Sequence, residues 1–241
     1  MNERITIERI TIDTADGSFG AYVARPAVTH PTLTPAPSIV VIQEIFGINA
    51  DMRAHCDELA AKGYIALCPD MFWRLEPGVE LSDRSEAEWT RAKALYTRFN
   101  IESGVADLAA AIGSARKLDG ASGKVGVMGF CMGGLLTFLT AARVGADAAV
   151  AYYGGRTDQF VAEFKDLKTP LVMHLAQDDE YIPKSAQDVI SAAAEELAHV
   201  QVFVYPGQNH AFARVDGVHF DAAAAELANQ RTERFFAKHL S

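Results

Sequence analysis

Apolar and polar residues alternate along the first stretch of the chain, from residue 5 to 12, and again from 19 to 24, with Asp16-Gly17 between them. That pattern predicts an antiparallel hairpin with its turn at Asp16-Gly17. Pro26, Pro31, Pro35 and Pro37 then punctuate a connector with no Pro-x-x-Pro spacing, so a loop is expected and not a polyproline ligand. Beyond it, short apolar β-rich runs bounded by turn residues fall at 38–43, 64–68, 124–128, 147–152, 170–175 and 200–205. Segments with helical period lie between and after them, at 51–62, 86–99, 101–118, 132–144, 184–197 and 221–239. Strand and helix in repeated alternation imply an α/β fold: a mostly parallel sheet with helices on both faces and the hairpin at its N-terminal end. No linker composition interrupts the pattern, so one domain over 1–241 is expected.

A parallel sheet predicts where chemistry sits, because ligands bind outside the carboxyl ends of its strands. After the strand at 124–128 the chain reads Gly129-Phe130-Cys131-Met132-Gly133-Gly134 and enters a helix. This matches a Gly-x-Ser-x-Gly nucleophile elbow with cysteine in the serine position. A strand-to-helix turn that tight leaves no room for side chains two residues before and after the nucleophile, and Gly129 and Gly133 supply the space. It also aims the thiol at a helix N-terminus, where the dipole and free N–H groups favour a thiolate and a developing oxyanion. Two other readings of these residues stay open. Cys131 can be a small packed hydrophobe, and Gly126, Gly129 and Gly133 loosely resemble a dinucleotide loop. The strand after it ends in Tyr152-Tyr153-Gly154-Gly155, however, without the acidic residue that a ribose needs.

Two later strand ends strengthen the elbow. Asp178 and Asp179 follow the strand at 170–175, and His210 follows the strand at 200–205. Nucleophile, acid and histidine in that order on carboxyl-end loops is the chain order of α/β-hydrolases. In the general scheme His210 acts as base, while an aspartate fixes its tautomer and stabilises its cation. The remaining histidines, His30, His55, His174, His199, His219 and His239, are expected to be solvated or packed, and no pair has zinc-ligand spacing with a third partner. Cys56 and Cys68 are expected to be structural.

The first core strand ends in Gln43-Glu44-Ile45-Phe46-Gly47-Ile48-Asn49, and Gly63 to Asp70 reads Gly-Tyr-x-Ala-x-Cys-Pro-Asp. Together with the cysteine elbow and the ending Gly207-x-x-His210-x-Phe212, these motifs resemble the dienelactone hydrolase family, over roughly residues 38–236. The resemblance implies an α/β-hydrolase fold and carboxymethylenebutenolidase activity, the opening of an unsaturated lactone to maleylacetate in chloroaromatic breakdown. It implies Cys131, Asp179 and His210 as triad, with Asp179 preferred over Asp178. It further implies that Glu44 keeps the resting thiol protonated and takes its proton when substrate enters, and that the backbone N–H groups of Ile45 and Met132 form the oxyanion hole. Family members that use dienelactone bind its carboxylate through arginines, and Arg214 stands at one such position. Trp89 and Lys93 occupy the positions expected for a second arginine and a tyrosine, with Arg84 and Arg91 nearby, and Ala211 replaces a hydroxyl residue. These departures bear on the substrate more than on the hydrolytic chemistry.

Composition narrows the partners. The 241 residues carry 31 acidic and 22 basic side chains, a net charge of −9, which argues against nucleic acid and against a polybasic membrane surface. No apolar run reaches the ~18 residues of a membrane span, and the charged start Met1-Asn2-Glu3-Arg4 precedes no apolar h-region. Three cysteines without metal or Cys-x-x-Cys spacing suit a reducing compartment. The expectation is a cytoplasmic, monomeric, cofactor-free and metal-free enzyme that hydrolyses a small anionic lactone or ester. A general esterase or thioesterase, or a non-catalytic redox-sensing thiol protein, are the competing readings.

Overall fold

A computed structural model describes residues 5–27 and 35–241; Met1 to Arg4, His30 and Pro31 lie outside the described residues. Two compact units are distinguished, Met1–Gly126 and Val127–Ser241.

In the first unit, strands β1 (Ile5–Thr14) and β2 (Gly17–Pro26) form the expected antiparallel hairpin. Thr14 pairs with Gly17, so Ala15-Asp16 makes the turn, one residue earlier than the Asp-Gly signal placed it. Gly17 takes φ +144 as the first residue of the return strand, a conformation glycine adopts freely. β3 (Ala36–Ile42), α1 (Ala50–Ala61), β4 (Ile65–Pro69), α2 (Glu86–Arg98) and α3 (Ile101–Ala115) follow. β2 pairs antiparallel with β4, and β3 lies parallel to β4. The apolar run of β3, with Ile39 through Ile42 fully buried, has no polar face because a parallel strand is covered on both sides.

β5 (Ala121–Phe130) runs across the division between the units. The second unit holds α4 (Met132–Arg143), β6 (Ala148–Tyr152), β7 (Leu171–Ala176), α5 (Lys184–Glu195), β8 (Val200–Tyr205) and α6 (Ala222–His239). β6, β7 and β8 are parallel neighbours. The strands follow the order β1-β2-β4-β3-β5-β6-β7-β8 in an eight-stranded, mostly parallel sheet, the α/β-hydrolase architecture. All six helices among the described residues coincide with predicted ones to within three residues at either end, α1 beginning one residue early. A 3-10 segment at Thr157–Asp166 was not predicted. Its helical period is broken at Phe160, which leaves helical backbone angles, but Phe164 still anchors it with a ring 4.6 Å from that of Phe138.

Four of the six described helices begin at a side-chain cap, and α4 and α5 do not. Asn49, Ser85, Asn100 and Asp221 accept N–H bonds from Met52, Glu88, Ser103 and Ala224, capping α1, α2, α3 and α6, each cap contributing about 1 kcal/mol. α4 begins instead at Cys131, which makes no side-chain cap.

Candidate active site

Cys131 sits at φ 53, ψ −114, between the end of β5 and the start of α4. Non-glycine residues avoid that region, and such strain gathers where surrounding structure fixes a functional group. The surroundings here are backbone. Cys131 N–H donates to the Tyr152 carbonyl at 3.1 Å, and a Cβ on Gly129 would fall 2.3 Å from the Gly133 carbonyl oxygen. The sequence showed the need for glycine at 129 and missed it at 134, where a Cβ would meet the Tyr152 carbonyl oxygen at 2.3 Å. With no cap on α4, the Met132 N–H, first in the helix, has no intrahelical acceptor. Cys131 is only partly buried, whereas Cys56 and Cys68 are fully buried, and all three are free thiols; Cys131 is therefore not simply a packed hydrophobe.

His210 and Asp179 meet as expected. His210 Nδ1 lies 2.8 Å from Asp179 Oδ2, with both side chains buried. The two aspartates differ locally: Asp178 is exposed, while Asp179 Oδ1 accepts the N–H groups of Tyr181 at 2.8 Å and Ile182 at 3.2 Å. Gln187 on α5 holds the same loop, its Nε2 donating to the carbonyls of Ala176, Gln177 and Ile182. Ala211, directly after the histidine, takes φ 63. The segment beyond it is drawn back by Asp221 N–H to the Phe212 carbonyl at 3.0 Å and by His219 Nδ1 to the His210 carbonyl at 3.1 Å.

Burial disfavours the His210 cation, but the neighbouring Cys131 charge and the bond to Asp179 outweigh it and push the imidazole up to about 10. His210 Nε2 is buried without a well-formed hydrogen bond, so Cys131 acts on it chiefly as a charge at close range. Two aromatic neighbours escaped sequence reasoning. Tyr153 and Tyr181 set ring edges against the imidazole at 5.1 and 4.8 Å, and Tyr153 does so at φ 37. The doubled tyrosine and the Asp-Glu-Tyr run were the available signals.

Glu44, Ile45, Trp89 and Lys93 belong to the first unit. Glu44 and Ile45 are buried just beyond β3. Gln43 pins that loop, its Nε2 donating to the Glu44 carbonyl at 3.2 Å and its Oε1 accepting Met71 N–H at 3.1 Å. Gly47 follows at φ +79, where a Cβ would lie 1.8 Å from the Val79 carbonyl oxygen, so only glycine fits. Trp89 donates to the Asp83 carbonyl at 3.0 Å and sets its ring edge-on to Phe46 at 5.1 Å. Lys93 Nζ lies 5.1 Å from the Trp89 ring centre, so these two substituted positions form one patch. Arg91 is engaged by Glu76. Arg214, in the second unit, is buried.

The other described histidines have structural partners. His174 is fully buried, accepting from Tyr205 OH at Nδ1 (2.8 Å) and reaching Thr232 Oγ1 from Nε2 (3.1 Å). Burial, helped by Arg231, lowers it to about 3; burial and Lys62 lower His55 to about 4. His199 contacts the Leu167 carbonyl and His239 the Phe235 ring. Among the described residues no cluster of His, Cys, Asp and Glu could hold a metal ion, and no helix is long and apolar enough to cross a membrane.

The model of the dienelactone hydrolase family matches residues 19–240. A candidate carboxymethylenebutenolidase of Azospirillum brasilense is 45% identical over 93% of this chain and 95% of its own length. A carboxymethylenebutenolidase of Pseudomonas putida is 39% identical over 95% of this chain and 96% of its own. The crystal structure of a candidate dienelactone hydrolase from Klebsiella pneumoniae superposes with a TM-score of 0.86 at 28% identity, covering 97% of this chain and 99% of that one.

Proposed function

The chain belongs to the dienelactone hydrolase family, and on that premise we propose that it is a cysteine-dependent hydrolase that opens a small anionic lactone through a thioester acyl-enzyme. One observation carries the reading: an imidazole fixed by a buried carboxylate at 2.8 Å stands in the second unit with a strained, partly exposed thiol whose charge it feels. We treat residues 1–241 as one catalytic domain, monomeric and cytoplasmic, the last consistent with three free thiols.

In this mechanism a lactone carbonyl enters beside Cys131, and the thiolate attacks it. The tetrahedral oxyanion takes hydrogen bonds from the backbone N–H groups of Ile45 and Met132. Collapse breaks the ring C–O bond, leaving a thioester on Cys131 and an enolate that takes up a proton. Water then attacks the thioester, with His210 accepting its proton, and the thiol leaves with the acid released. The Cys131 charge is the first of the causes that raise His210, so once the sulfur is held as a thioester that support is gone and the imidazole can accept the proton from water. Glu44, buried just beyond β3, takes the thiol proton in the first step. Asp179 keeps the imidazole in register and stabilises its cation. Arg214 and Lys93 bind the substrate carboxylate, Lys93 as a point charge and not a planar fork, and the Trp89 ring beside Lys93 packs on the apolar part of the substrate.

Turnover of cis- and trans-dienelactone and of simple aryl esters, with mass spectrometry for a thioester on Cys131, tests this reading. Cys131→Ala and His210→Ala are expected to abolish turnover, and full activity in either sinks the triad. Glu44→Gln is expected to change the rate of Cys131 alkylation, and an identical rate with and without substrate removes its proposed role. The Trp89–Lys93 patch, in place of an arginine and a tyrosine, supports a second reading as a broader carboxylesterase or thioesterase. Faster turnover of aryl esters than of either dienelactone would select it.

A further inference from the structure

Tyr181 has two faces. Its ring centre lies 4.8 Å from that of His210, and it also lines an open groove of about 410 Å³ together with Arg156, Gln159, Pro183, Ser185 and Val189. That volume falls within the roughly 300–1,000 Å³ of small-molecule sites. The groove and the triad share a second wall-forming segment. The chain leaves β6 through Tyr153 at φ 37, which packs on His210, and reaches Arg156 at φ 69, which lines the groove. A Cβ on Gly155 would lie 3.9 Å from Tyr181 Cβ, so this segment runs directly against the shared tyrosine. Two non-glycine residues held at positive φ within four positions mark a backbone fixed by its surroundings, as at ligand-holding segments.

Arg156 supplies the chemistry. Its Nε donates to Gln159 Oε1 at 3.2 Å, and among the described residues it makes no ion pair. Its terminal NH groups are therefore unspent, in the planar fork that suits a carboxylate. Asp158, also on the lining, repels a doubly charged end more than a singly charged one. We propose that this groove is a subsite continuous with the catalytic centre, which takes the remote part of an ester or lactone ending in a single carboxylate, held by Arg156. This rests on the triad reading above and extends the substrate class from compact lactones to monoanionic esters with a tail that passes Tyr181.

Binding to the Cys131→Ala protein, where turnover does not intervene, tests it. The probes are 4-nitrophenyl hydrogen glutarate and its neutral methyl ester, titrated by calorimetry. The acid is expected to bind more tightly than the methyl ester, and adding Arg156→Ala to weaken the acid about tenfold, the scale of one charge-assisted hydrogen bond, while changing the methyl ester less. Val189→Trp, which fills the groove, is expected to weaken both. Equal affinities for acid and methyl ester, or an equal loss for both on Arg156→Ala, overturns the proposal. Turnover of 4-nitrophenyl acetate by the unaltered protein reports separately on the triad, so its failure is distinguishable from failure of the subsite.

Discussion

Gly129→Ala places a methyl group where the turn before Cys131 has none to spare. Its Cβ would stand 2.3 Å from the Gly133 carbonyl oxygen, 2.5 Å from its carbon and 2.8 Å from Thr137 Oγ1, against a floor of 3.0 Å for real Cβ contacts. The nearest obstacles are backbone at the start of α4, so the helix must retreat by about 0.7 Å on the worst contact. That retreat strains the Thr137 bond to the Gly133 carbonyl, now 2.8 Å, and overpacking of this kind costs roughly 1–3 kcal/mol. It also moves Cys131 relative to His210, and a misplacement approaching 1 Å lowers rate by on the order of a hundredfold. Urea unfolding gives the first quantity. Alkylation of Cys131 by iodoacetamide at pH 7 gives the second, since Cys56 and Cys68 are fully buried and react slowly. A folded Gly129→Ala protein with unchanged midpoint and alkylation rate would refute the claim that backbone crowding holds the nucleophile in place.

Asp179→Asn keeps the shape of the loop but removes the charge facing His210 Nδ1. It is expected to lower kcat by roughly 10³–10⁴-fold, and a loss under tenfold in dienelactone turnover would argue against Asp179 as the partner. His174, lowered to about 3 when folded and titrating near 6.5 when unfolded, contributes stability that is present above pH ~6.5. That stability is lost as pH falls toward 3, because the unfolded chain binds the extra proton. His174→Phe should therefore lower stability at pH 7, leaving Tyr205 OH and Thr232 without their partner, and flatten the decline between pH 7 and 4. Urea midpoints across that range with the same slope as the parent would count against it. Lys93→Gln is expected to raise KM for dienelactone about two- to fivefold, a small effect because the ammonium is exposed; an unchanged KM would place the substrate carboxylate elsewhere.

Much of this was legible in the sequence because it is local. The strands of the second unit and their terminal loops are fixed by apolar runs and the turn residues that bound them, so Cys131, His210 and the pair Asp178-Asp179 were legible from pattern alone. Resemblance favoured Asp179 over Asp178, and the structure gives the reason: two N–H groups just downstream hold its carboxylate. What was not legible depends on contacts far apart in the chain. Nothing adjacent to Gly134 signals that the Tyr152 carbonyl will press on it, and nothing in Asp178-Asp179-Glu180-Tyr181 shows that the tyrosine ring meets His210. The buried chain from Tyr205 through His174 and Thr232 to Tyr152 joins three strands and α6. Its histidine was expected to be packed, but the hydroxyls on either side of it were not foreseen. The 3-10 segment was missed because its period breaks at Phe160.

The two loops that carry the acid and the histidine are held in different ways, and this determines which can change length over evolution. Asp179 is held by bonds to the next few residues and by Gln187, so an insertion between it and Ile182 breaks the carboxylate's own supports. The loop after His210 is held at its ends by Asp221 to Phe212 and His219 to His210, and inside by the N–H groups of Arg214, Gly217 and Phe220 to the carbonyls of Ala211, Arg214 and Gly217. Residues 215–218, past the buried Arg214, lie largely at the surface, so a change of length there leaves the ties at His210 and Phe212 in place. Variation among descendants of this chain should therefore gather in that span, leaving the chemistry intact while the mouth of the site is reshaped.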